Sequence, residues 1–181
     1  MSLITRRATL GAVMATGLGA GLTVATCVEA KPNIGKPAPK FTLHTFDRRK
    51  ITLADLAGKV IVLNFWAVWC GPCKYELPEI DTYVRSKGGD DLKVFAVTID
   101  DTVSDKDLKP LASVLSFPLV SRIDGNYGII GGAVPSNYVI DRNGILRYAQ
   151  ANAFSYGSFA ATVGPLLAEK AAPAPTPGAT T

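Results

Sequence analysis

The pattern of apolar and polar positions divides the chain into three parts. Ala8 to Val28 is an uncharged, largely apolar stretch of 21 residues (28 − 8 + 1), preceded by Arg6 and Arg7. From Lys31 to Lys170 the apolar residues fall into short runs with the periods of folded elements. Residues 171–181, AAPAPTPGATT, hold three prolines and no large apolar side chain. Within the middle part Phe41-Thr-Leu-His-Thr45 alternates and predicts a short strand. Residues 47–50 read as a turn. Thr52 and Asp55 have the spacing of a capping box for one helical turn, closed by Gly58. Val60 to Trp66 (VIVLNFW) is almost continuously apolar, as a central strand buried on both faces requires.

Residues 72–87 have helical spacing and end near Gly88-Gly89. Residues 92–99 (LKVFAVTI) form a second central strand, so strand, helix and strand follow as a right-handed βαβ unit. Ser104, Asp105 and Asp107 precede Leu108, Leu111 and Leu115 at helical spacing. Pro110 is expected in the first turn of that helix or at a kink in it. Residues 117–123 are extended. Residues 137–140 and 145–149 flank Asp141-Arg-Asn-Gly144, a hairpin signal. Residues 156–170 predict a last amphipathic helix, interrupted at Gly164-Pro165. No internal repeat is present. The order predicts an α/β sandwich whose last two strands form an antiparallel hairpin.

Composition narrows the function. With 181 residues, 48% hydrophobic and 19% charged, the chain is one small domain and too apolar for disorder. A mild, scattered net charge of +4 gives no support to nucleic-acid binding. Three cysteines and one histidine are too few for a disulfide-stapled miniprotein or a zinc site of the usual kind, and no metal or other cofactor is expected. The N-terminal segment is expected to be an export signal over residues 1–30, its Thr5-Arg-Arg-Ala-Thr-Leu10 resembling a twin-arginine signal, with cleavage after Val28-Glu-Ala30. An uncleaved anchor through residues 8–28 is the alternative, and a lipid on Cys27 a third. All three put the domain, residues 31–170, outside the cytoplasm, in the periplasm. Residues 171–181 are expected to be a disordered tail.

The chemistry lies in Trp69-Cys70-Gly71-Pro72-Cys73. A C-x-x-C pair between a buried strand and a helix has a physical reason to react, since the helix N-terminus stabilises a thiolate at Cys70, with a pKa of ~7 or below. Cys73, one turn in, is more protected and placed to attack a mixed disulfide. Pro72 fixes the turn without removing a needed donor. A zinc half-site lacks its second pair, and a structural disulfide closing so short a loop would be a poor staple.

These residues resemble the active-site motif of thioredoxins, and Val134-Pro135 ahead of a strand resembles their cis-proline, which would present the Val134 backbone to an extended substrate. The resemblance is closer to the extracytoplasmic reductases of the TlpA, ResA and CcmG group, among the redoxin or AhpC/TSA-like proteins. It rests on Gly35-Lys-Pro-Ala-Pro-Lys-Phe-Thr-Leu43, on Cys73-Lys-Tyr-Glu76-Leu-Pro78, and on Val134-Pro-Ser-Asn-Tyr-Val-Ile-Asp-Arg-Asn-Gly144. The 62 residues from Cys73 to Pro135 (135 − 73) leave room for that group's extra βα insert. The resemblance covers residues 34–168. It implies a thioredoxin-like sandwich: a central mixed β-sheet with helices on both faces, an N-terminal β-hairpin and the insert.

It also implies a thiol–disulfide oxidoreductase that reduces protein disulfides through Cys70 and Cys73, re-reduced by a membrane thiol donor. Apocytochrome c or copper-site assembly proteins are the implied clients. The cytochrome branch carries Glu after its cis-proline, where this chain has Ser136. Trp69, Gly71, Pro72 and Val134 are implied to support the site. Asn64 stands where cytosolic thioredoxins have a buried Asp. Glu76 is then the remaining proton acceptor, the alternative being an exposed residue of the first helical turn. A thiol peroxidase on the same fold would need Thr or Ser at position 67, which is Ala. A copper carrier would pair C-x-x-x-C with a distal His, and the only histidine is His44.

Overall fold

The computed structural model describes residues 32–170. Its centre is β3, Val60–Trp66, whose seven residues are all buried. The strand has no polar face to offer water, so it lies inside the sheet. On one side it pairs in parallel with β4, Leu92–Thr98, and on the other antiparallel with β6, Ser136–Ile140. The connection from β3 to β4 is α1, Gly71–Tyr83, which continues into a π-helical turn at Val84–Gly88.

The flanking strands complete a seven-stranded mixed sheet of order β2-β1-β5-β4-β3-β6-β7. β1 (Phe41–Thr45) and β2 (Lys50–Thr52) form the expected N-terminal hairpin. Between β4 and β6 comes the extra unit, α2 (Asp105–Val114) followed by β5 (Leu119–Gly125). β5 docks between β4 and β1. Its last residue, Gly125, has φ 132°, and a Cβ there would sit 2.6 Å from the Lys40 carbonyl, so the approach to β1 requires glycine. β7 (Leu146–Gln150) closes the predicted hairpin with β6, and α3 (Tyr156–Ala168) ends the fold.

Two cores result, one on each face of the sheet. The first packs Val62, Leu77, Ile80, Leu108, Phe159 and Val163, so α1, α2 and α3 share one face. The second holds Leu43, Ile61, Leu63, Phe95 and Ile140, covered by a single 3-10 turn at Ala54–Leu56 and by Tyr127, Ile129 and Ile130. The short helix has the reciprocal bonds of its capping box: Asp55 Oδ2 accepts from Thr52 N (2.8 Å), and Asp55 N donates to Thr52 Oγ1 (3.3 Å).

One expectation about proline is corrected: α3 runs through Gly164-Pro165 without interruption. Of the two places expected for Pro110, the first turn is excluded, since Pro110 is the sixth residue of α2. An interior proline costs about 3 kcal/mol. Burial of Phe159, Val163 and Leu166 along α3 returns roughly 1.5–3 kcal/mol each, which exceeds that cost. The expected export segment, Cys27 and the C-terminal tail fall outside the described residues. Among the described residues no helix is long and apolar enough to cross a membrane.

Candidate active site

The end of β3 delivers the cysteines. After Trp66 the chain turns, with Cys70 N donating to the Ala67 carbonyl (3.1 Å), and Cys70 becomes the N-cap of α1. Gly71 and Pro72 are the first helical residues, where proline's missing N–H costs nothing. Cys70 and Cys73 are joined in a disulfide with their Cα atoms 5.3 Å apart. The Cys73 N–H donates to Cys70 Sγ (3.1 Å), so an unpaired donor of the helix start already points at this sulfur. Cys70 is 4% exposed and Cys73 0%, so Cys70 is the less enclosed residue of the pair. Trp69 and Tyr75 stand out beside them, 66% and 79% exposed.

Glu76 follows Cys73 by three residues and therefore shares its helix face. It is fully buried, not the exposed first-turn residue of the alternative reading. Its Oε1 accepts from Asn137 Nδ2 (2.6 Å) and from the Phe154 N–H (2.8 Å), and its Oε2 accepts from Asn64 Nδ2 (2.7 Å). Asn64 Nδ2 also donates to Asn137 Oδ1 (2.8 Å), and Asn137 Nδ2 to the Asn152 carbonyl (3.0 Å). Burial drives the Glu76 carboxyl above the ordinary carboxylate range, and the bonds from Phe154, Asn137 and Asn64 only partly offset it.

A raised carboxyl pKa in the folded state means that folding binds the proton more tightly. The associated stability is complete below the unfolded value and lost as pH rises through the folded one. Wild-type stability should therefore fall relative to Glu76→Gln from pH 4.5, the ordinary value, up to the raised value. The slope approaches ~1.4 kcal/mol per pH unit. Urea unfolding of both proteins over pH 4–8 checks this, and parallel curves would contradict it.

Sequence reasoning named Asn64 and Glu76 but missed Asn137 and the Phe154 backbone. A signal for Asn137 was present: it is a polar residue inside an apolar strand, and Asn64 is another. β3 and β6 pair these two residues directly, and both are fully buried. Phe154 and Asn152 bond through backbone atoms in the loop after β7, which no side-chain pattern reveals. The Val134–Pro135 bond is cis. Pro135 is buried, and Val134 packs against the cluster that contains both cysteines. Glu76, Phe154, Tyr75 and Gly71 are among the residues that line an open depression of about 690 Å³ next to the start of α1. His44 lies on β1, three strands from β3 across the sheet, and bonds Asp124 (2.7 Å).

Comparison with known proteins supplies the context for this arrangement. The AhpC/TSA family matches residues 34–149. The thiol-disulfide oxidoreductase ResA of Bacillus thuringiensis is 36% identical over 123 residues, covering 63% of this chain and 67% of that protein. The thioredoxin-like protein YneN of Bacillus subtilis is 33% identical over 119 residues, covering 62% and 68%. A thiol:disulfide interchange protein of the thioredoxin family from Chlorobium tepidum superposes with a TM-score of 0.59 at 24% identity, covering 76% of this chain and 99% of that one, and so shares the fold.

Proposed function

We propose, from the premise that the chain belongs to the AhpC/TSA family and is a thiol–disulfide oxidoreductase of the ResA and CcmG type, that it is an exported reductant of protein disulfides. The carrying observation is the pairing of a helix-capping Cys70 with a buried carboxyl on the face of Cys73. In the reduced state the Cys70 thiolate attacks a client disulfide. One client sulfur stays bonded to Cys70 and the other leaves as a thiolate. The Cys73 thiol then gives its proton to Glu76 and attacks Cys70 Sγ. The mixed disulfide breaks, the second client thiol is released, and the Cys70–Cys73 disulfide forms. Two electrons have passed to the client, and a membrane thiol donor restores them.

Asn64, Asn137 and the Phe154 N–H hold Glu76 at its post. Val134, next to the cis-proline, offers its backbone to an extended client segment, and Trp69 flanks that segment. Apocytochrome c and copper-site assembly proteins are the proposed clients. They face an oxidising compartment that keeps their cysteines paired. Residues 1–30 carry the chain out of the cytoplasm.

The reading is tested by turnover. Pre-reduced protein, recycled by excess dithiothreitol, should reduce insulin disulfides catalytically and consume hydrogen peroxide no faster than dithiothreitol alone. Peroxide turnover without insulin reduction would overturn it.

A further inference from the structure

Glu76 owes one of its bonds to a surface loop. Residues 151–155 lie between β7 and α3 and belong to neither. Residues 151–153 are exposed, yet the Phe154 N–H beside them reaches the buried carboxyl at 2.8 Å. A loop amide so close to the surface can bond water instead, so this bond lasts only if the loop is fixed on both sides of Phe154. On the C-terminal side α3 fixes it. The Phe154 ring packs edge-to-face on Phe159 (5.3 Å), and Ser155 and Ser158 form the capping box of that helix.

On the N-terminal side the fixed point is Asn152, which is held twice. Its carbonyl accepts from Asn137 Nδ2 (3.0 Å), and its Oδ1 accepts from the Tyr148 hydroxyl (2.6 Å). Tyr148 stands on β7 opposite Val139, two residues along β6 from Asn137, so the phenol and the Asn137 amide rise from the same face of the sheet. The Tyr148 ring also packs on the ring of Phe154, with centroids 5.1 Å apart. One side chain on a paired strand thus grips the loop at residues 152 and 154. Asn137 carries the effect further. Its Nδ2 serves the Asn152 carbonyl and Glu76 Oε1 with the two hydrogens of one amide, so a shift of Asn152 disturbs a second bond to the carboxyl.

We infer that Tyr148 is a positioning residue of the dithiol exchange: through Asn152 its hydroxyl keeps the Phe154 N–H and the Asn137 amide on the Glu76 carboxylate, and so keeps that group ready to take the proton of Cys73. The inference rests on the oxidoreductase reading above and adds a residue that bonds neither sulfur nor Glu76 itself. The titratable groups around Glu76 are Cys73 on its own helix face, Glu79 along the same depression and Tyr148 on β7. β3 and β6 bring only the neutral Asn64 and Asn137 to its oxygens, and the loop only a backbone N–H. Burial holds the Tyr148 phenol above its ordinary value; the charge of Glu76 adds to this, and the bond to Asn152 offsets part of it. The phenol is therefore neutral at assay pH, and Tyr148→Phe removes a hydrogen bond without removing a charge.

The test reads Glu76 directly. In the full chain with its disulfide closed, the carboxyl carbon resonance of 13C-labelled Glu76 is followed by NMR from pH 4 to 9. Weakened bonds to the carboxylate, with burial unchanged, favour the protonated form, so Tyr148→Phe should raise the midpoint by about half to one pH unit. Asn152→Ala, a change at an exposed position, should give the same rise, and the double variant should add nothing, because both remove one contact. The consequence for exchange is read by single-turnover oxidation of the pre-reduced protein by insulin, with acid quenching and thiol alkylation. Cys70 attacks an insulin disulfide, Cys73 gives its proton to Glu76 and displaces the second insulin thiolate, and the protein dithiol is oxidised as one insulin disulfide is reduced. Below the midpoint the rate in Tyr148→Phe should fall by about threefold to tenfold, matching the shift. In a Glu76→Gln background the same substitution should change nothing.

An unmoved Glu76 midpoint in both variants would overturn the role of Tyr148 and leave the oxidoreductase reading intact. A rate loss that persists in the Glu76→Gln background would overturn it as well, since the hydroxyl would then act by another route. A wild-type protein that leaves insulin disulfides unreduced would overturn the oxidoreductase reading itself, whatever the NMR midpoints.

Discussion

Cys70→Ala should lose at least about a thousandfold of disulfide-reducing activity, because it removes the nucleophile and no other thiol in the described residues can replace it. Cys73→Ala should behave differently. It keeps the Cys70 thiolate and the helix start that stabilises it, and loses only the group that resolves the mixed disulfide. Its turnover should also vanish, but a covalent adduct should accumulate through Cys70 and collapse on addition of dithiothreitol. The asymmetry follows from position. Cys70 Sγ accepts the Cys73 N–H and Cys70 keeps a little exposed surface, whereas Cys73 is fully buried. Intact-mass analysis of each variant after exposure to a disulfide-bonded client reads the outcome. An adduct on Cys73 in Cys70→Ala, and none in Cys73→Ala, would reverse the roles.

The second large effect is on stability. Phe159 is fully buried, and its ring meets Tyr83 at 5.2 Å and Phe154 at 5.3 Å, both edge-to-face. It joins α3 to the end of α1 and to the loop whose Phe154 N–H holds Glu76. Phe159→Ala should lower the unfolding free energy by about 3–5 kcal/mol, from lost burial, a residual cavity and two broken aromatic pairs. Equilibrium urea denaturation measures it, and a loss below about 1 kcal/mol would show that the site collapses without cost. Phe159→Leu, which keeps much of the volume, should recover more than half of the loss.

Much of this was legible before the structure, for reasons that differ by element. β3 could be read because a strand buried on both faces must be apolar throughout, and VIVLNFW leaves little else possible. The last hairpin could be read because Asn143-Gly144 meets a backbone requirement that few residues satisfy. The continuity of α3 could not. Proline at position 165 is a local signal against helix, and only the tertiary burial of Phe159, Val163 and Leu166 outweighs it. The dithiol was legible because its chemistry is compressed into four consecutive residues. The seat of Glu76 was not, because it is assembled from three separate stretches: Asn64 on β3, Asn137 on β6 and a backbone N–H after β7. Nothing within one window of sequence joins them. Asn64 carries a further mark of this assembly. Its Oδ1 is buried without a partner among the described residues, while its Nδ2 serves both Glu76 and Asn137. The amide is oriented for donation, which suits a carboxylate that accepts.

The direction of electron flow depends on how well the reduced form is stabilised. A stabilised thiolate makes a disulfide oxidising, and a poorly stabilised one makes it reducing. Here the helix start favours the Cys70 thiolate. Burial of both sulfurs opposes it, and so does a carboxyl on the face of Cys73 once that carboxyl has ionised. The proposed reductant role requires that the last two effects outweigh the first. The equilibrium reduction potential of the Cys70–Cys73 pair, measured against dithiothreitol and glutathione buffers at pH 7, tests this most directly. A value at or below roughly −220 mV is expected of a protein that reduces client disulfides, and a value above roughly −150 mV, in the range of strong oxidants, would contradict it.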